Sequence, residues 1–350
     1  MRTASLFAWF GIVGLGVGCA SGGDEAASVA FEGGTMGTTY LVRVVPDVGV
    51  VVDEAALAEE IQQVLDGIES EMSHYRSDSE VSRFNQARHT EPIAVSAQTF
   101  DVVAGAIAIG RASGGALDIT VGPLVNAWGF GPEEPAVLPP DGARVQELLE
   151  ATGLDRLELD ARIPTIRKAL PEVEVDLSAV AKGYAVDRVA ETVARRGHHR
   201  FMVEVGGEVV ARGTNPGGRP WRIAIERPTA EGGIKEVVPL PRGAMATSGD
   251  YRNVREVEGR LLSHTIDPRT GHPVTHRLTS VTVVADSCLE ADGLATALEV
   301  LGPEAGYALA EELELAALFL IRGEDGSISA RATAGFESLR DGSPSATGLE

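Results

Sequence analysis

The chain predicts an α+β fold in which strands and helices mix without a regular βαβ rhythm. Three observations carry this. Period-two apolar runs, such as residues 38–45 and Leu278–Ala285, share the chain with a strong 3.6-period stripe of Leu57, Ile61, Val64, Leu65, Ile68 and Met72. Helical patterns dominate the first half and strand patterns the second. No G-x-G-x-x-G turn follows a strand, which removes the dinucleotide-binding fold of doubly wound sheets. At 350 residues, 44% apolar and 23% charged, the chain can build one large or two medium domains. Aromatics are only 5%, so the core must rest on Val, Leu, Ile and Ala.

The elements follow in order. Residues 38–45 read as the first strand. Asp53 caps a long helix that carries the Leu57 to Met72 stripe, and Ser96 caps a second helix to Arg111. Residues 114–131 are punctuated by glycine and close on Trp128-Gly129-Phe130-Gly131. The proline-rich residues 132–140 form a loop. Asp141 starts a third helix to about Thr152. Strands are expected near 156–159 and 172–175, then a helix from Tyr184 to Arg196. Phe201–Val205, Glu208–Arg212, Trp221–Glu226 and residues 243–247 are successive strands. Leu278–Ala285 leads into a helix over 289–301, and a final helix and strand fill 303–321. No internal repeat is visible.

The termini lie outside this pattern. Arg2 and the apolar residues 6–17, too short to span a bilayer, mark residues 1–18 as a signal peptide. Leu15-Gly16-Val17-Gly18-Cys19 resembles a bacterial lipoprotein signal in which Cys19 becomes the lipidated N-terminus. Gly16 stands where that signal usually has leucine, and plain secretion is the alternative. Residues 19–30 read as a tether, 31–332 as the folded domain and 333–350 as a flexible tail. With Cys19 lipidated, Cys288 has no disulfide partner; it sits in an apolar junction and reads as a small buried hydrophobe. The net charge of −21 argues against nucleic acid or anionic lipid as a partner. A phosphorylated ligand held locally by a metal and a lysine remains compatible.

Val175-Asp176-Leu177-Ser178-Ala179-Val180-Ala181-Lys182-Gly183-Tyr184 is the most informative segment. A strand-to-helix turn built from small residues, a carboxylate and a lysine offers backbone amides and a cation to an anion. It is no P-loop, because G-x-x-x-x-G-K-[ST] is missing. An ordinary turn with a solvated lysine has the same appearance. Asp292 and Thr296 lie one helical turn apart and are hard oxygen ligands suited to Mg2+; an N-terminal acid complementing the helix dipole explains Asp292 equally well. Glu290 and Glu299 are placed off that face. His264, in Ser263-His264-Thr265-Ile266-Asp267-Pro268, can orient a phosphate, act as an acid or base, or hold a turn. No H-E-x-x-H and no G-x-S-x-G occur, so zinc-protease and α/β-hydrolase readings drop out.

These segments, in this order, resemble the FAD:protein FMN transferases, the ApbE or flavin-trafficking lipoprotein family. The likeness runs from Met36-Gly37-Thr38-Thr39-Tyr40 through Ser73-His74-Tyr75-Arg76 and Ser79-Glu80-Val81-Ser82-Arg83-Phe84-Asn85 to Ala116-Leu117-Asp118-Ile119-Thr120. It continues through the Asp176 segment, Glu204-Val205-Gly206-Gly207-Glu208, Ala246-Thr247-Ser248-Gly249-Asp250 and the His264 turn to Ala291-Asp292-Gly293-Leu294-Ala295-Thr296. The resemblance implies a mixed α/β, T-fold-like architecture with FAD in a cleft. It implies that Met36, Tyr75, Ala116, Leu117, Asp118, Asp176, Lys182, His264 and Ile266 bind FAD, and that the Ala179 carbonyl, Asp292 and Thr296 bind Mg2+. Leu117 replaces a usual phenylalanine and Ala179 a common glycine; each keeps the contact.

The implied reaction is transfer of FMN from FAD to a threonine hydroxyl of a target flavoprotein, with AMP released. Lys182 would neutralise phosphate charge, and His264 or Asp250 would take the hydroxyl proton. FAD pyrophosphatase activity and non-catalytic flavin binding are the rival readings. The implied acceptors are extracytoplasmic flavoproteins with a D-G-x-x-x-[AS]-T pattern, reached from a membrane-anchored lipoprotein. The tail itself carries Asp341-Gly342-Ser343-Pro344-Ser345-Ala346-Thr347, so Thr347 is a candidate self-acceptor, against the plainer reading of a generic Ser/Gly tail.

Overall fold

Eight strands form one antiparallel sheet whose spatial order follows the chain: β1 (Val29–Thr35), β2 (Thr38–Val44), β3 (Phe201–Val205), β4 (Glu208–Arg212), β5 (Arg242–Gly249), β6 (Leu278–Ala285), β7 (Ala316–Arg322) and β8 (Ile328–Ala332). This is a computed structural model, and it describes residues 26–132, 138–229, 232–249, 254–257 and 260–340. Long insertions leave the meander at four of its connections, one of them the stretch between β5 and β6 that carries the hairpin Val254–Val257/Arg260–Ser263 and the His264 turn. Between β2 and β3 come the helices α1 (Glu54–Met72), α2 (Glu80–Gln86), α3 (Ala97–Ala112), α4 (Gly122–Trp128), α5 (Gly142–Glu150) and α6 (Ala181–Arg195). Between β4 and β5 comes a hairpin of Trp221–Glu226 and Ile234–Leu240. Helix α7 (Cys288–Glu312), two helical segments broken at Gly302 (φ +79°) before Pro303 as the sequence predicts, joins β6 to β7, and α8 (Ala334–Arg340) ends the described chain.

The sheet is covered on both faces, and strand alternation decides which side chain goes where. On β4, Val210 joins the larger core under α1, α3, α6 and α7, while Val209 and Ala211 face the Trp221 hairpin and α8. The predicted stripe on α1 is the buried one, with Leu57, Ile61, Leu65, Ile68 and Met72 all inside. The predicted caps also hold: Asp53, Ser96 and Asp141 accept amide hydrogen bonds from Ala56, Thr99 and Arg144. A third cluster of Leu124, Trp128, Val145, Leu148 and Ile266 anchors the His264 turn, and Trp128 Nε1 donates to the Gly271 carbonyl at 2.8 Å.

Several expectations are corrected. Residues 172–175 form no strand. Val173, Val175 and Leu177 are buried on a period of two, but their backbone pairs elsewhere. Asn85 takes both the amide and the carbonyl of Val175, at 2.7 and 2.9 Å, and the Asp176 amide donates to the Ile119 carbonyl. The alternation was a burial signal without a ladder. Strand β1 begins at Val29, inside the expected tether. Residues 334–340 of the expected flexible tail form α8, whose Phe336 and Leu339 are buried against the sheet, with Thr333 Oγ1 accepting the Phe336 amide. The glycine- and serine-rich composition further on masked that short apolar pair. Cys19 and Thr347 lie outside the described residues. Among the described residues no helix is long and apolar enough to cross a membrane.

Helices α6 and α7 cross at unusually close range. A Cβ on Gly183 would sit 2.2 Å from the Cys288 carbonyl oxygen and 2.8 Å from Asp292 Cβ. Alanine gains about 1 kcal/mol of helix propensity over glycine, but a backbone clash of this depth forces the helices apart and costs about 1–3 kcal/mol. Gly183→Ala is therefore expected to lower the free energy of unfolding, read from the urea midpoint, despite the better helix former.

Candidate active site

One cavity of about 1160 Å³ opens where the β3–β4 turn, the end of β5, the start of α6 and the C-terminal end of α1 meet. Its walls include Tyr75, Ala116, Leu117, Asp118, Asp176, Ala179, Lys182, His264, Ile266, Asp292 and Thr296. Residues spread over more than 200 positions of sequence thus share one space, large enough for a dinucleotide. Met36 is the exception. It lies half-buried in the β1–β2 turn, off the cavity wall, with φ of +49°, and its amide donates to Glu69, which also accepts from Thr35 Oγ1. Asp250 lies outside the described residues.

The crossing of α6 and α7 shapes the floor. In a regular helix the Gly183 amide would bond to the Ala179 carbonyl four residues back. Here it donates to Asp292 Oδ2 at 2.9 Å, and α6 begins only at Ala181. Ala179 precedes the N-cap Val180, so its carbonyl accepts no amide of α6, and the residue lines the cavity together with Asp292 and Thr296. A carbonyl, a carboxylate and a hydroxyl are hard oxygen donors, and they fit Mg2+ better than a soft metal. Among the described residues no group of three His, Cys, Asp or Glu side chains is arranged to hold a metal, so a site here must use such mixed donors. Thr296 Oγ1 lies 3.1 Å from Ser248 Oγ.

Lys182 Nζ lies 2.5 Å from Glu208 Oε1. Burial opposes the lysine's charge, but Asp292 and Glu208 more than offset it and hold the ammonium well above its ordinary range. Burial pushes the carboxyls of Glu208 and Asp292 up, against the pull of Lys182. Asp118 turns to Thr120, accepting from its amide at 2.8 Å and its hydroxyl at 2.5 Å, and burial raises its carboxyl too. Asp176 Oδ1 accepts the Ser178 amide at 2.9 Å and lies 3.2 Å from His74 Nδ1, whose ring packs on exposed Tyr75. The His264 ring faces Phe130 edge-on at 6.4 Å. Cys288 is fully buried and its thiol is pushed well up, which makes it the inert hydrophobe expected.

Glu299 corrects the sequence reading. It is buried and lines the same cavity. Positions 292, 296 and 299 are spaced i, i+4, i+7 and share one helical stripe, a signal already present in the sequence. Counting it, seven acidic side chains among the described residues line the cavity (Asp118, Asp176, Glu208, Glu226, Glu256, Asp292, Glu299) against two permanent cations, Lys182 and Arg255. A pyrophosphate entering such a wall needs further positive charge.

The model of the ApbE family matches residues 36–319. The chain belongs to the ApbE family. It is 46% identical over 303 residues to a Vibrio cholerae protein named FAD:protein FMN transferase, covering 86% of this chain and 90% of that one. It is 41% identical to the Haemophilus influenzae protein of the same name, over 94% and 96% of the two chains. Its fold is similar to that of the flavin transferase ApbE from Vibrio cholerae, with a TM-score of 0.82 and 43% identity over 90% of this chain and 99% of that one. The apo flavinyl transferase ApbE of Pseudomonas stutzeri superposes equally well, with a TM-score of 0.82 and 38% identity over 90% and 97%. As a member of the ApbE family the chain has the mixed helix-and-sheet architecture its motifs implied.

Asn85 positions the Asp176 segment, and Lys168 positions Asn85. The Lys168 side chain is wholly buried, and its Nζ donates to the Ala87 carbonyl at 2.9 Å and the Asn85 carbonyl at 3.3 Å. Asn85→Ala leaves the buried Val175 amide and carbonyl unpaired, and should raise the KM for FAD on the order of tenfold while the fold persists. Steady-state kinetics with a melting control check this. Burial lowers Lys168 to about 8 from 10.5. Between those values the folded chain binds fewer protons than the unfolded one, so this group makes stability rise with pH. Lys168→Met should flatten that slope, as read from urea midpoints across the window.

Proposed function

We propose that this chain transfers FMN from FAD to a threonine hydroxyl of a target protein, with Mg2+ bound at the α6–α7 crossing. The observation that carries this is the meeting of Ala179, Asp292 and Thr296 on the wall of one dinucleotide-sized cavity, with the Gly183 amide bonded to the Asp292 carboxylate. A carbonyl, a carboxylate and a hydroxyl from these residues fit the metal, and the surplus of carboxylates over cations among the described lining residues supplies the reason for one. When bound, Mg2+ supplies charge neutralisation on the pyrophosphate.

The chain's own residues do the rest. Leu117, Ala116 and Tyr75 offer apolar and aromatic surface for the isoalloxazine, and Lys182, about a third exposed, can turn from Glu208 toward a phosphate oxygen. The acceptor oxygen attacks the phosphorus of the FMN half, and the bond from that phosphorus to the bridging oxygen breaks. AMP leaves with the bridging oxygen. The hydroxyl proton needs a base, and we assign that role to His264, which lines the cavity. Residues 1–18 as a signal peptide and Cys19 as a lipid anchor would set this chain on the extracytoplasmic face of a membrane, beside acceptors with a D-G-x-x-x-[AS]-T pattern.

Incubation with FAD, Mg2+ and an acceptor peptide, following covalent FMN, free FMN and AMP, tests the reading. Covalent FMN with stoichiometric AMP is expected. Free FMN with AMP would assign hydrolysis instead, and neither product would leave flavin binding alone. Asp292→Ala should abolish the divalent-dependent rate, and a rate unchanged in that variant sinks the metal assignment. His264→Ala should slow transfer about 100-fold or more with FAD binding retained, as equilibrium titration of flavin fluorescence would show.

A further inference from the structure

The end of the sheet opposite the cavity has its own character. Strands β1 and β2 pair from Thr35–Thr38, near the cavity, to Val29–Val44 at the far end, a span of about 20 Å. Beyond Val44 the chain forms the loop Pro46-Asp47-Val48-Gly49-Val50-Val51-Val52. Val48, Val50 and Val51 in it are exposed, with Val48 and Val51 almost entirely so. Three exposed valines within four residues form an apolar tip that nothing among the described residues covers.

Charge is distributed to match. The far end gathers Arg195, Arg196, Arg200, Arg212, Arg219 and Arg242, from the end of α6, the start of β3, the end of β4, its following loop and the start of β5. Among them stand Asp47, Asp53, Glu54, Glu60 and Asp286, and Glu60 already holds Arg196 through both carboxylate oxygens at 2.6 and 2.8 Å. Bases and acids are close to balanced at this end, against 30 to 51 in the whole chain. The chain's net charge therefore misstates what this face would meet. The described chain also begins here: the Ala26 amide donates to the Pro216 carbonyl, and Val29 pairs with Val44. Ala26, the first described residue, thus stands at this end, and Cys19 lies seven positions before it in the sequence.

We propose that this end is a membrane-docking face, with the valine tip of residues 48–51 entering the headgroup region of a phospholipid bilayer and the surrounding arginines meeting lipid phosphates. Valine side chains gain by leaving water, and guanidinium groups pair with phosphate. Docked this way, the domain holds its catalytic cavity about 20 Å from the bilayer, facing away from it. The inference deepens the proposed membrane location and is independent of the transfer chemistry.

The test uses the full chain carrying Cys19→Ser, so that no lipid contributes, and vesicles of phosphatidylethanolamine and phosphatidylglycerol. Co-sedimentation should show partition that weakens with salt. Val48→Asp with Val51→Asp should weaken it roughly tenfold or more. Arg195→Glu with Arg242→Glu should weaken it about fivefold per arginine and flatten the salt dependence. Melting temperature and FMN transfer to a soluble acceptor should stay at the parent values in both variants. Partition of both variants equal to the parent's overturns the proposal. A parent that partitions but transfers no FMN leaves the docking face standing and removes only the transfer reading.

Discussion

The hydrogen bond from the Gly183 amide to Asp292 Oδ2 is the contact on which the site depends. It exists because Gly183 has no Cβ to hold α6 away from the Cys288 carbonyl. One bond does three things. It satisfies one of the free amides in the first turn of α6, it orients the Asp292 carboxylate, and it fixes the backbone next to Lys182 on the cavity wall. A second contact supports it from α6. Asp187 accepts the Cys288 and Leu289 amides at 2.8 and 2.9 Å, closing the first turn of α7. Burial raises Asp187 to about 6, against those two amide bonds. The start of each helix is therefore completed by a side chain of the other, and neither end forms correctly alone.

Electrostatics gives the cavity its chemical direction. Buried carboxylates without enough cations are costly, and a protein keeps such an arrangement where a cation or a charged ligand completes it. Six arginines gather at the opposite end of the sheet. The chain's net charge of −21 matches the acidic cavity better than that end.

Much of the fold was legible because local rules acted alone. The stripe on α1, the caps at Asp53, Ser96 and Asp141, and the strands Phe201–Val205 and Leu278–Ala285 all follow from periodicity and side-chain capping. The failures fall where another part of the chain supplies the backbone's partner. Val173 to Leu177 alternates like a strand, yet Asn85, some ninety residues earlier, takes the hydrogen bonds a neighbouring strand would have taken. Helix α8 is held by Phe336 and Leu339 against a sheet face that forms only when β4, β5 and β7 are assembled.

The site divides the same way. The sequence by itself determined the residue types: a small-residue segment with Asp176 and Lys182, the Asp292–Thr296 pair at helical spacing, and the order of motifs that marks the ApbE family. Helical spacing also contained Glu299, for anyone following the stripe one turn further. Only the tertiary structure decided that the Gly183 amide meets Asp292, that Lys182 faces Glu208, and that the valine tip and the arginines share one end. The reason is physical. Periodicity reports which face of an element is buried, but a hydrogen bond or an ion pair between distant segments depends on how closely two backbones approach. Here that approach is set by a missing Cβ and by the packing around it.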